Sequence, residues 1–378
     1  MISVSPKHNP RVETLDSLRG IAALFVVFGH FLASTVIAKI LVRSPFNFII
    51  GGHEAVVFFF MLSGYVLTYQ YERKTNFSYG KFLVHRFFRL YIPYIVSILF
   101  CVLFFLSCEP VHLSPEWVNS VRSPGVIWDI FADHLLLIHN FNTSAFNPVV
   151  WSLVHEMRIT LIFPLFLWLV RLKPGSAMLI VFCITIISAG VDILNLNPSA
   201  GYDNSYSSTA HYLYVFLAGG LIAKHQHELL LIYRKLKPLQ KGLLLIFMIS
   251  LYNYGTVGSF FLLFKIKHLS VYLNEVLGRQ AGDFLVATAC FYFIVAAVAL
   301  SGSKTFLKNK ILLFLGKISY SLYLVHLPVF AFVYYELNGR VQILLLLSLG
   351  FVASFFVAVI FNKYIEQFSM RLAKKITA

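Results

Sequence analysis

About ten times along this chain some twenty apolar residues follow one another, with only short polar loops between them. Wound as an α-helix, a run of that length matches the roughly 30 Å hydrocarbon layer of a bilayer. A helix also satisfies its own backbone polar groups there, which an open strand or loop does not. The runs fall at about 18–38, 53–71, 89–107, 149–170, 176–194, 209–224, 242–264, 283–301, 312–335 and 341–361. Only 12% of the residues are charged, about half the share of a soluble globular domain. The expected fold is therefore all-α: a polytopic membrane helical bundle of about ten transmembrane helices, forming one domain over 1–378. Pro93 is expected in the first turn of the third helix, where a missing N–H is tolerated. The sixth run is short and carries Gly219 and Gly220. The segment 126–140 mixes apolar residues with Asp129, Asp133, His134 and His139, and reads as an interfacial helix or re-entrant piece.

Charge gives the orientation. With the N-terminus inside, 23 of the 31 Lys and Arg residues fall on the inner side and seven on the outer side (39, 43, 122, 265, 267, 279, 340), with Arg158 inside a span. The positive-inside rule thus selects N-in and C-in, with cytoplasmic tails at 1–14 and 362–378. The net charge of +15 sits in those short loops; it points to anionic lipid and topology, not to nucleic acid. The first eleven residues are polar and the first apolar run lacks a small-residue cleavage site, so no cleavable signal peptide is expected. Cys101, Cys108, Cys183 and Cys290 show no CxxC or ligand spacing, so neither a disulfide framework nor a metal is expected.

Within the first run, LDSLRGIAALFVVFGHFL, Arg19 and His30 are eleven residues apart. On a helix that is about three turns and about 16 Å, which returns to nearly the same face. Ionisable groups at such depth usually line a cavity or a substrate path. Lys81, His85, Arg86 and Arg89 precede the third run. They read as a topological anchor or, with Arg19, as a clamp for a polyphosphate, since guanidinium forks match phosphate oxygens. Trp151, Ser152, His155, Glu156 and Arg158 open the fourth run. Trp151 fits an interfacial belt, whereas Glu156 lies two turns in, at a depth where a pair with His30 is geometrically possible. His53 and Glu54 stand at the mouth of the second run, as interfacial groups or the rim of an acceptor site, while Ser63 and Gly64 read as helix-packing residues. Tyr320, Tyr323 and His326 share a face of the ninth run, with Pro328 just beyond suggesting a locally opened helix.

The chain has no Walker A sequence, no GxSxG elbow and no HExxH, which argues against ATP-driven transport, serine hydrolysis and zinc proteolysis. From the residues alone, an enzyme and a multi-pass transporter or flippase stand about even, because both need intramembrane polar groups. A purely structural partner in a polysaccharide-synthesis complex is a third reading.

Six segments together tip that balance. LDSLRGIAALFVVFGH, FFFMLSGYVLT, HRFFRLYIP, WSLVHE, LGKISYSLYLVHLPV and YIEQFS occur in this order across most of the chain. They resemble acyltransferase family 3, membrane proteins that O-acylate carbohydrates and other extracytoplasmic acceptors. The resemblance implies a ten-helix fold and no permanently bound cofactor. It implies acyl-CoA, commonly acetyl-CoA, as co-substrate at the cytoplasmic face. The acceptor would be a hydroxyl of a glycan, a lipid-linked glycan or a small molecule, and the setting a bacterial inner membrane. It also implies Arg19 and His30 as the first-helix pair, Arg86 and Arg89 as CoA-phosphate contacts, and Glu156 as the outer carboxylate. His30 would be general base or transient acyl acceptor; Glu156 would orient it or bind the acceptor. Asp16, His53, Glu54, Trp151, Ser152, Tyr320, Tyr323 and His326 are the supporting or acceptor-side candidates. His155 stands where many members carry an acidic residue. The chain ends soon after the tenth run, so the additional hydrolase-like domain of some members is not expected.

Overall fold

The computed structural model describes residues 12–33, 35–72, 77–107, 127–264 and 271–378. Among the basic residues counted above, Lys7, Arg11, Arg73, Lys74, Arg122, Lys265 and Lys267 lie outside that set, as does Cys108. The described residues form helices joined by irregular connections, with no strand among them, in the order α1 Glu13–Leu32, α2 Val36–Val42, α3 Gly52–Glu72, α4 Tyr79–Ser107, α5 Ile127–His134, α6 Trp151–Leu161, α7 Phe163–Arg171 and α8 Pro174–Ile193. They continue with α9 Tyr206–Lys224, α10 Gln226–Lys235, α11 Pro238–Phe264, α12 Val271–Ala299, α13 Lys310–Leu337, α14 Ile343–Phe361 and α15 Gln367–Thr377. Eight of the ten predicted runs fall on one helix each, the first (18–38) runs past the end of α1 at Leu32 into α2, and the fourth covers the pair α6–α7. Seven helices among the described residues are long and apolar enough to cross a membrane, and eight spans result if the α6–α7 pair, bent by 72°, counts as one. α3 and α9 fall outside that number for a physical reason. They pack on each other in the interior, and their small and polar residues (Ser63, Gly64, Ser207, Ser208, His211, Gly219) face protein instead of lipid.

Two glycine crossings set the spacing of the interior. On α3 and α9, a Cβ at Gly64 would lie 2.0 Å from the Phe216 carbonyl oxygen, and one at Gly219 would lie 1.9 Å from that of Met61. On α1 and α13, a Cβ at Gly20 would lie 2.6 Å from the Gly316 nitrogen, and one at Gly316 would lie 2.1 Å from the Asp16 carbonyl oxygen. Backbone meets backbone at both places, so no side-chain rotation relieves an added methyl. Gly64→Ala and Gly219→Ala are each expected to cost at least the roughly 1–3 kcal/mol of an overpacked core. The check is the thermal aggregation midpoint in detergent, which should fall for both variants and stay put for Gly242→Ala, where a Cβ meets open space.

Three expectations are corrected here. The basic stretch 81–89 is not a loop: α4 starts at Tyr79, so Arg86 lies two turns inside a 29-residue helix and Pro93 sits in its middle. The Tyr320 hydroxyl donates to the Leu90 carbonyl (2.8 Å), next to the Arg89 carbonyl that Pro93 deprives of its helical donor. The fourth run is not one straight helix; it breaks at Ile162, because Pro164 at the start of α7 has no N–H to continue the ladder. The terminal segment 362–378 is not a loose tail but continues α14 through a π-helical turn, Asn362–Glu366, into α15. Pro328 behaves as its position suggests: α13 runs through it, and Asn147 Nδ2 donates to the Leu324 carbonyl (2.8 Å) that the proline leaves free.

Candidate active site

α1 lies along α13, and the two polar residues predicted to share a stripe both turn toward that helix. At the end of the bundle where α1 begins, here the near end, Arg19 Nη2 donates to the Gly316 carbonyl and to Asp16 Oδ1, 3.1 Å each. Toward the far end, His30 meets His326. His30 Nδ1 is 2.9 Å from the Val26 carbonyl and 3.2 Å from His326 Nε2, while His326 Nδ1 is 3.0 Å from the Leu322 carbonyl. A carbonyl only accepts, so both Nδ1 atoms carry hydrogen. His326 Nε2 is then a lone-pair acceptor for the His30 Nδ1–H. The network leaves His30 Nε2 as a bare lone pair on an exposed ring, and His326 fully buried behind it.

Between α1, α3, α4, α6, α13 and α15 lies a cavity of about 540 Å³, within the usual range of small-molecule sites. Its near end is basic, with Arg19, His85, Arg86, Arg89 and Lys374, and its far end carries Ser63, Ser152, Glu156, Tyr320 and Tyr323. A second cavity of about 500 Å³ shares Arg19 and Arg89 with it and adds Asp16, Lys317 and Gln367. The charges are not equivalent. Arg86 is buried; its Nη2 donates to Glu156 Oε1 at 2.5 Å and its Nε to Thr160 Oγ1 at 3.3 Å. Glu156 also accepts from Ser63 Oγ at 3.1 Å. The predicted Glu156–His30 pairing is therefore not found. The helix break at Ile162 keeps α6 short, and the early start of α4 brings Arg86 to the carboxylate first. Arg89 and Lys374, by contrast, make no side-chain hydrogen bond or ion pair with any described residue.

The far wall of the cavity is a hydrogen bond. Ser152 Oγ donates to Tyr323 Oη (2.7 Å), whose own hydrogen goes to the Val149 carbonyl (2.7 Å). His326 follows Tyr323 by three residues on α13, their rings 6.3 Å apart. Tyr323 thus links the cavity, which it lines with Ser152, to the histidine pair, and His30 itself does not line the cavity.

His53 and Glu54 go elsewhere. His53 Nε2 meets Asp283 Oδ1 at 2.6 Å, His211 Nε2 meets the other Asp283 oxygen at 2.9 Å, and the His53 ring stacks on Trp151. Glu54 accepts from Thr256 (3.0 Å). His155 and Arg158 brace the loop before α9: His155 through the Asp203 carbonyl (2.7 Å), Arg158 through the carbonyls of Asn204 (2.9 Å) and Ser205 (2.8 Å). Arg279, counted by charge as an outer residue, pairs with Asp203 at 2.9 Å. Asp283 and His211 were missed, although an acid at the edge of the eighth run and a histidine inside the sixth are both visible in the sequence. Lys374 was missed because it read as part of a tail.

Comparison with known proteins fits this geometry. A family model described as an acyltransferase domain, family 3 of the membrane acyltransferases, matches residues 12–363. The chain belongs to this acyltransferase family. Among curated relatives, O-acetyltransferase OatA of Staphylococcus aureus strain NCTC 8325 is 26% identical over 353 residues, covering 90% of this chain and 53% of the relative. The same-named proteins of strains COL and MRSA252 match to the same extent. The chain spans about half the length of these relatives. No solved structure matches it. Arg19, Arg86, Arg89, Ser152 and Glu156 line one cavity of this family 3 acyltransferase.

Proposed function

We propose that this chain is an integral membrane O-acyltransferase that moves an acyl group, most simply acetyl, from cytoplasmic acyl-CoA to a hydroxyl of an extracytoplasmic glycan, lipid-linked glycan or small acceptor. The topology is ten spans, N-in and C-in, so that the basic near end faces the cytoplasm; the loop charge supports this. The observation that carries the reading is one cavity with cations that no described residue pairs at its basic end and the bonded Ser152 and Tyr323 on its wall, from which Tyr323 leads to His326 and to His30 with its bare Nε2.

The phosphates of CoA dock at the basic mouth and the thin pantetheine arm carries the thioester inward. It parts the Ser152–Tyr323 bond to reach His30. His30 Nε2 takes the proton of the acceptor hydroxyl, and the oxygen attacks the thioester carbonyl. The tetrahedral adduct collapses with loss of the CoA thiolate, which recovers the proton from His30, leaving an ester and CoA thiol. His326 holds the His30 tautomer that makes this possible.

Membrane vesicles containing the protein are expected to release CoA thiol from radiolabelled acetyl-CoA and to pass label into envelope carbohydrate. Label that crosses or stays in the donor without thiol release returns the chain to a transporter. Arg89→Ala is expected to raise the KM for acetyl-CoA about 10- to 100-fold, the equivalent of one lost charge-assisted contact, with a smaller change in kcat. An unchanged KM makes Arg89 a topological anchor.

A further inference from the structure

The reading above assigns the C-terminal helix no ligand contact of its own, yet the helix is built into the mouth of the cavity. Ser369 and Ala373 are buried against α4. Ser369 Oγ donates to the Phe88 carbonyl, Thr377 Oγ1 bonds His85 Nε2 at 2.9 Å, and Lys81 Nζ donates to the Thr377 carbonyl at 2.6 Å. These ties fix the rotation of α15. Gln367, Met370 and Lys374, spaced i, i+3 and i+7, then share one face. That face lines the two cavities: Gln367 the smaller, Met370 and Lys374 the larger. The amino group of Lys374 therefore stands at a mouth shared with Arg89, and neither is neutralised by a described residue. Arg86 is held by Glu156 and Arg19 by Asp16, so in the larger cavity the guanidinium and ammonium charges with no ion-pair partner among the described residues are those of Arg89 and Lys374.

We infer that α15 is part of the donor site, and that Lys374, together with Arg89, binds a phosphate group of the CoA moiety. This rests on the reading of the cavity as the acyl-CoA site. It assigns the phosphate contact to a helix at the opposite end of the chain from Arg19, and it explains why a terminal helix is tied down at three points. A lysine suits this position: a compact charge on a long stem at an exposed rim can follow a phosphate as the nucleotide enters.

The test is binding to the purified full chain in detergent, with CoA, 3′-dephospho-CoA and acetyl-pantetheine as probes. Lys374→Ala is expected to weaken CoA about 10-fold, Lys374→Arg to restore it, and Lys375→Ala, off the cavity face, to leave it unchanged. Acetyl-pantetheine, without phosphate, should bind the wild type and Lys374→Ala alike. If 3′-dephospho-CoA is weakened as much as CoA, the contact is to the diphosphate; if it is not weakened, the contact is to the 3′-phosphate. Equal CoA affinity in wild type and Lys374→Ala overturns the inference, and so does an equal loss with acetyl-pantetheine, which would mean a steric effect. A wild-type protein that binds no CoA would instead sink the acyl-CoA reading itself.

Discussion

Replacing His30 by glutamine is expected to lower the rate of acyl transfer by roughly 10²- to 10⁴-fold, the range a positioned general base supplies, while CoA binding at the near end stays as in the wild type. Glutamine keeps a polar group of similar size on α1, and its amide can still donate to the Val26 carbonyl. What it lacks is the lone pair that His30 Nε2 presents once Nδ1 is committed to Val26 and His326. The loss should therefore appear in kcat at saturating acetyl-CoA. Because His30 does not line the cavity, the donor mouth should not sense the change. Transfer at the wild-type rate in His30→Gln, with the protein folded and in the membrane, removes His30 from the chemistry. A parallel loss of CoA affinity would mean that the first helix acts through packing.

Much of this arrangement is legible before any coordinates, and the reason is energetic. Charge in hydrocarbon is costly enough that Arg19, His30, Glu156 and His326 stand out against their runs, and the eleven-residue spacing of the first two survives as a shared orientation toward α13. What pattern reading misses is set by tertiary contact. The start of α4 was placed ten residues late, because a basic stretch looks like a loop until its arginine finds a carboxylate inside the bundle. Depth alone allowed a Glu156–His30 pair, and depth does not say which side of a helix faces which neighbour. α3 and α9 are recognisable as helices but less apolar than the others, since a helix enclosed by protein needs no lipid-facing surface. The terminal helix looked like a tail because its anchoring bonds go to α4, almost 300 residues earlier in the chain.

The Arg86–Glu156 pair should behave as a unit. Glu156→Gln removes the charge that compensates a guanidinium buried in the bundle. An uncompensated buried charge costs about 3–5 kcal/mol, so the single variant should lose much of its thermal stability, and Arg86→Gln should do the same from the other side. The double variant, with neither charge, is expected to regain a large part of what each single variant loses, giving a coupling of about 1–3 kcal/mol in a double-mutant cycle. Activity should not return with it, because Glu156 lines the cavity beside Ser152 and the double variant alters that wall. Recovery of fold without recovery of transfer separates the two duties of the pair: closing a charge balance inside the membrane and shaping the passage between donor and acceptor sides. Strictly additive losses would mean that the carboxylate and the guanidinium act independently. Arg86 would then be free to bind the donor phosphates alongside Arg89 and Lys374.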